Sequence, residues 1–100
     1  MRYVTIHDLK SAVDAGATVI DVREPHEYAG GHVPGARLVP LGTIPLRLHE
    51  LPAGEPVYLV CAVGARSAQA AQYLSQRGVD ARTVDGGTGE WVAAGYPVER

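Results

Sequence analysis

The chain contains one cysteine, Cys61, among its 100 residues. It can form no internal disulfide, which suits a reducing compartment, and a cytoplasmic location is expected. Basic charge is sparse as well. Nine Lys and Arg are scattered along the chain and the net charge is −2, so no cationic stripe invites nucleic acid. No apolar run is long enough to span a bilayer, and Met1 to Asp8 turns polar too soon for a signal peptide. The four histidines, His7, His26, His32 and His49, are dispersed and offer no metal-ligand spacing. There is no Walker-type loop, no G-x-S-x-G, no internal repeat and no low-complexity tract. What is left is an ordinary globular mix, 46% hydrophobic and 20% charged. It fits one small domain over residues 1–100, with no room for a second core.

Periodicity divides the chain into alternating strands and helices. Thr5 reads as an N-cap, with Asp8 closing a capping box; Leu9, Ala12 and Val13 then recur at helical spacing, and Gly16 stops the helix. Thr18 to Val22 is a β-branched run that predicts a buried strand. Pro25 opens a single helical turn, Gly30 to Ala36 is a turn-rich connector, and Arg37 to Val39 predicts a brief strand. Ile44 to Leu51 has a partly helical pattern in which Pro45 is tolerable only in the first turn. Val57 to Val60 predicts a strand, followed by a loop and a helix from about Arg66 to Arg77. Ala70, Ala71, Tyr73 and Leu74 supply that helix with an inner face, and Gly78 ends it. Ala81 to Val84 predicts another strand, and Asp85 to Trp91 leads into a short helix ended by Gly95-Tyr96-Pro97. This alternation implies βα units and a mainly parallel sheet covered on both faces. Ligands of such sheets bind at the carboxyl ends of the strands, where Asp21, Cys61 and Asp85 all fall.

A strand-end cysteine suits either packing or nucleophilic work. The C-x-x-G-x-R spacing of Cys61 to Arg66 favours the second. A thiol attacks as the thiolate, and an unperturbed cysteine is mostly protonated at neutral pH. The loop Ala62-Val63-Gly64-Ala65 can turn its N–H groups inward as an anion nest, with Gly64 permitting a left-handed turn. The helix after it aims its positive end, and the Arg66 guanidinium, at the same point.

Three stretches, "IDVREPHEYAGGHVPGA" (Ile20 to Ala36), "CAVGARS" (Cys61 to Ser67) and "DGGTGEWVAAGYPV" (Asp85 to Val98), resemble in order the amino-terminal signature, the active-site loop and the closing Gly-Gly…Trp motif of the single-domain rhodaneses, a sulfurtransferase family. The resemblance covers nearly the whole chain. It implies an α/β fold with a five-stranded, mainly parallel sheet flanked by helices on both faces, the Cys61 strand at its centre. It implies that Cys61 is catalytic and takes a sulfane sulfur from a small-molecule donor, thiosulfate or another persulfide. The sulfur then passes to a cyanide or thiol acceptor through a Cys61 persulfide, a transfer split into two steps. Ala62, Val63, Gly64, Ala65 and Arg66 would cradle that persulfide with their N–H groups. No cofactor and no metal is implied. With no second cysteine in the chain the acceptor comes from outside, a protein sulfur acceptor being one form. Departures from the family pattern are small: Val33 stands where isoleucine is frequent, and Thr88 where a larger residue often sits. The loop offers only the Arg66 cation, whereas thiosulfate-selective loops usually offer more, so the donor stays open.

Asp21 and Arg23 lie two apart and share a face if the strand continues. They are expected to brace the active-site loop, with Arg23 also a donor contact; a surface ion pair with Glu24 or Glu27 is the alternative. His32, in a turn shaped by Gly and Pro, reads as structural, Trp91 as core, and His7, His26 and His49 as solvated. Two other functions compete. Cys-based phosphatases use a related cradle, but with five residues between Cys and Arg, against four here, Ala62 to Ala65. A sulfur-carrier or regulatory interaction module that keeps the fold is the non-enzyme rival.

Overall fold

The computed structural model describes residues 1–100. Its elements run β1 (Arg2–Val4), α1 (Ile6–Asp14), β2 (Thr18–Asp21), α2 (Pro25–Ala29), β3 (Arg37–Leu38), β4 (Pro56–Val60), α3 (Ala65–Ser75), β5 (Asp80–Val84) and α4 (Gly87–Ala93). Two 3-10 turns, Leu41–Leu46 and Leu48–Glu50, bridge β3 to β4. The five strands form one sheet in the order β1-β5-β4-β2-β3. Every pairing is parallel, and β4, which delivers Cys61, is central as expected.

Side chains alternate across the sheet because successive residues of a strand point to opposite faces. On β4, Val57 and Leu59 join a core with Ile20 of β2 and with Ala70, Ala71 and Leu74 of α3. Val60 turns the other way, to Val19, Ile6 and Leu9 of α1, and Trp91 of α4. Both faces are therefore covered, which a parallel sheet needs. Trp91 is fully buried and its indole N–H donates to Pro97 O at 2.7 Å, so its polar end is satisfied. The Thr5–Asp8 capping box forms, and the Asp8 carboxyl is held below its ordinary value by the Thr5 backbone N–H and hydroxyl.

Two readings are corrected, and one strand was not anticipated. Arg2–Val4 carries no strand pattern but pairs with Arg82, Thr83 and Val84 at the sheet edge; the partner supplies what the local sequence does not. The helical pattern over Ile44 to Leu51 is realised as 3-10 turns, and Pro45 lies near the end of the first rather than in an α-helical first turn. A 3-10 stretch this short has few bonds for proline to remove. Finally, α3 begins at Ala65, one residue before the expected start, because Gly64 at φ 112° serves as its N-cap, and it ends at Ser75, short of Arg77.

Candidate active site

Cys61 follows β4 directly and is 1% exposed. Its Sγ lies inside the turn that links β4 to α3. Gly64 holds φ 112°, a conformation that L side chains rarely adopt. This turn aims the Gly64 N–H at Cys61 Sγ, 3.1 Å away. The Cys61 thiol points to Ser67 Oγ at 3.5 Å. Ser67 is itself buried; it donates to Gly64 O at 3.1 Å and accepts from Thr83 Oγ1 on β5 at 2.8 Å. With Thr83 donating to it, Ser67 can bond a thiolate by turning its single proton from Gly64 O to Sγ. Burial pushes the Cys61 thiol up. The Ser67 hydroxyl and the N–H groups of Ser67, Gly64 and Val63 outweigh it, and the thiol titrates below its ordinary value.

The outward-facing carbonyls of the turn are fixed by the start of α4. Thr88 N–H donates to Cys61 O at 2.8 Å, and Gly89 N–H to Ala62 O at 3.0 Å. Peptide planes held by their carbonyls from outside present their N–H groups inside. Gly87 makes this approach possible: at φ 57°, a Cβ there would collide with Cys61 O and lie 2.7 Å from the carbonyl carbon of Ala62. The second glycine of the Gly-Gly…Trp motif thus works as a spacer between α4 and the cysteine turn.

Beside the turn lies an open crevice of about 630 Å³ lined by Arg23, Glu27, Gly31, Ala62, Val63 and Thr88 among others. Loops from the carboxyl ends of β2, β4 and β5 meet there. Val63 and Val92, on its rim, are 74% and 53% exposed. Two other depressions on the surface are lined by residues outside the cysteine turn. No three His, Cys, Asp or Glu side chains assemble as a metal-ligand group, and no helix is long and apolar enough to cross a membrane.

Several expected side-chain roles change with the geometry. Arg66 does not aim its guanidinium at Sγ. Its Nη1 and Nη2 donate to Glu27 Oε1 and Oε2 at 2.7 and 2.9 Å, an end-on pair joining α3 to α2. Asp21 and Arg23 are both buried and bond one another, Arg23 Nη2 to Asp21 Oδ2 at 2.9 Å. Arg23 Nη2 also donates to Gly31 O at 2.8 Å. They secure the connector after α2 and not the cysteine turn, because β2 ends at Asp21 and the chain bends away from the strand direction. Arg23 nevertheless reaches the crevice. No hydrogen bond to Sγ comes from Ala62, Ala65 or Arg66, while Val63, Gly64 and Ser67 contribute to its environment. Asp85 is exposed. His32 is buried, stacked 3.6 Å from the Tyr28 ring, with Nδ1 2.9 Å from Tyr28 O. Ser67 and Thr83 escaped the sequence reading, and Glu27 entered it only as an alternative ion-pair partner for Asp21 and Arg23. Ser67 stood inside the quoted loop motif, whereas Thr83 and Glu27 had no local signal.

Residues 5–94 match the rhodanese-like domain family, and the chain belongs to this sulfurtransferase family. It is 33% identical over 95 residues to the thiosulfate sulfurtransferase GlpE of Pseudoalteromonas translucida, an alignment covering 93% of this chain and 90% of that protein. It is 43% identical over 76 residues to the uncharacterized protein YqhL of Bacillus subtilis, covering 75% of this chain and 60% of that protein's length. Among solved structures, a rhodanese-related protein from Thermoplasma volcanium superposes with a TM-score of 0.93 at 34% identity, over 99% of this chain and 98% of that one.

Proposed function

We propose that this chain is a sulfurtransferase that carries sulfane sulfur as a Cys61 persulfide. The observation that carries the reading is the Gly64 N–H directed at Cys61 Sγ from 3.1 Å, in a turn whose remaining donors hold the thiol below its ordinary value. In the first half-reaction the Cys61 thiolate attacks the outer sulfur of the donor. A new S–S bond forms, the donor's S–S bond breaks, and its electron pair leaves with sulfite from thiosulfate or with a thiolate from an organic persulfide. In the second, a cyanide or thiol acceptor attacks the terminal sulfur and Cys61 thiolate is released. The terminal sulfur carries negative charge, and the N–H groups from Ala62 through Arg66 are the donors available to it. The reaction calls for no cofactor and no metal.

The acceptor is external, because Cys61 is the sole thiol. The exposed Val63 and Val92 beside the crevice favour a protein thiol as one acceptor, and this is how a sulfur-carrier role would use the same site. A phosphatase role fits less well. It needs a free arginine fork for phosphate oxygens, and both terminal nitrogens of Arg66 are taken by Glu27. Thiocyanate formation from thiosulfate and cyanide tests the proposal. Parallel double-reciprocal lines, the sign of a covalent relay, are expected, with no release of phosphate from p-nitrophenyl phosphate. Intersecting lines, or phosphate release that depends on Cys61, would overturn it.

A further inference from the structure

The loop of Cys61 holds one cationic side chain, and Glu27 occupies it. Arg66 presents Nη1 and Nη2 to the two carboxylate oxygens at 2.7 and 2.9 Å. Bidentate, charge-assisted pairs of this kind are stronger than single-point surface pairs. Glu27 Oε1 also accepts from the Glu24 N–H at 2.9 Å. It is thus a fixed group rather than a swinging one. The Arg66 hydrogen bonds and the Glu24 N–H hold its carboxyl down to about 2, so it is ionised at any pH at which the protein would be assayed. The cation it neutralises sits close enough to the reacting sulfur for Cys61 thiolate to reinforce the Arg66 charge.

The other charges of the crevice do not make up the loss. Arg23 is committed to buried Asp21. Arg100, on the outer rim, is exposed and donates its Nε–H to Gly30 O at 3.1 Å, and a solvated cation there is screened. His26 is exposed on the same rim. A dianion entering the crevice therefore meets a paired guanidinium, Arg23, and a carboxylate, Glu27, which in turn holds Arg66. A neutral organic persulfide, R–S–SH, brings no anionic charge to Glu27 and pays no such penalty.

Resting on the sulfurtransferase reading above, we infer that Glu27 is a specificity-determining residue: by holding Arg66 it selects organic or protein-bound persulfides over thiosulfate as the sulfur donor. Glu27 touches neither the reacting sulfur nor the leaving group, and acts through Arg66. The pair also ties α2 to α3, and a purely structural role would alter loading from every donor alike. The ratio between two donors separates the roles.

The experiment measures second-order loading of Cys61 by thiosulfate and by mercaptoethanol persulfide, followed by intact mass, in the wild-type chain, Glu27→Gln and Glu27→Gln/Arg66→Gln. Release of Arg66 in Glu27→Gln is expected to raise the thiosulfate-to-persulfide rate ratio about tenfold, the scale of one recovered charge-assisted hydrogen bond. The gain should vanish in the double variant, in which no cation remains to be freed. An unchanged ratio in Glu27→Gln, or a gain that survives loss of Arg66, overturns the inference. If Glu27→Gln does not fold, Glu27→Asp serves, since its shorter arm cannot span both nitrogens; an unchanged ratio there is equally adverse. Failure of the wild-type chain to load sulfur from either donor contradicts the persulfide reading itself, a result distinct from wild-type loading with an unaltered ratio.

Discussion

Replacing Ser67 by Ala removes the side-chain hydroxyl closest to Cys61 Sγ, 3.5 Å away, and leaves the burial of the thiol in place. A hydrogen bond to a charged group contributes about 1.5–3 kcal/mol, and one pKa unit corresponds to about 1.4 kcal/mol. The Cys61 thiol should therefore titrate higher in Ser67→Ala. Below the pKa each unit removes about nine-tenths of the thiolate, while the more basic thiolate is intrinsically more reactive with a Brønsted slope of about 0.4–0.5. At a pH below both pKa values the two effects combine to a rate loss of roughly three- to fourfold for each unit by which the thiol is raised. The same substitution leaves the buried Thr83 hydroxyl without the partner it has at 2.8 Å, at a cost of about 1–3 kcal/mol in stability. The double variant Ser67→Ala/Thr83→Val removes that orphan and should recover stability without recovering thiol acidity. Iodoacetamide alkylation against pH, read by intact mass, gives the titration, and urea unfolding gives the stability. A midpoint that stays put or falls in folded Ser67→Ala would refute the reasoning, since burial would then have no opposing hydroxyl.

Further outcomes follow from the same geometry. Folding lowers Glu27 from 4.5 to about 2, so its pairing contributes fully above about pH 4.5 and is lost as pH falls through about 2. The stability difference between wild type and Glu27→Gln should accordingly be constant near neutrality and shrink below about pH 4.5; a difference that persists unchanged to about pH 2 would contradict the assignment. Gly87→Ala places a Cβ against Cys61 O and 2.7 Å from the Ala62 carbonyl carbon, and should cost about 1–3 kcal/mol while slowing alkylation; urea midpoints and alkylation rates check both. Arg23→Ala strands the fully buried Asp21 carboxylate, for a loss of about 3–5 kcal/mol that Asp21→Leu in the same chain should partly relieve. Thermal unfolding of the single and double variants decides this, and additive losses would mean the two side chains do not depend on each other.

Local chemistry made much of the fold readable. The Thr18 to Val22 run, the Thr5–Asp8 capping box and the Gly64 turn each carry their cause within a few residues, and the motifs from Ile20 to Val98 placed the cysteine strand at the sheet centre. Features that depend on distant partners left no such trace. Arg2–Val4 becomes a strand only against β5. The Ser67–Thr83 contact joins residues 16 apart, and the Arg66–Glu27 pair residues 39 apart. An arginine two residues into a helix that starts beside a reactive sulfur looks aimed at that sulfur; only the position of α2 reveals its other partner. Asp21 and Arg23 were misread for a related reason. Their spacing holds along a strand, and the strand ends at Asp21.

The most direct measurement is the intact mass of the wild-type chain and Cys61→Ser after incubation with mercaptoethanol persulfide, with and without subsequent cyanide. The account predicts one added sulfur atom on the wild type, its quantitative removal by cyanide with thiocyanate formed in equal amount, and no addition to Cys61→Ser. Sulfur transfer that continues in Cys61→Ser, or a folded wild type that gains no sulfur from this donor or from thiosulfate, would contradict it.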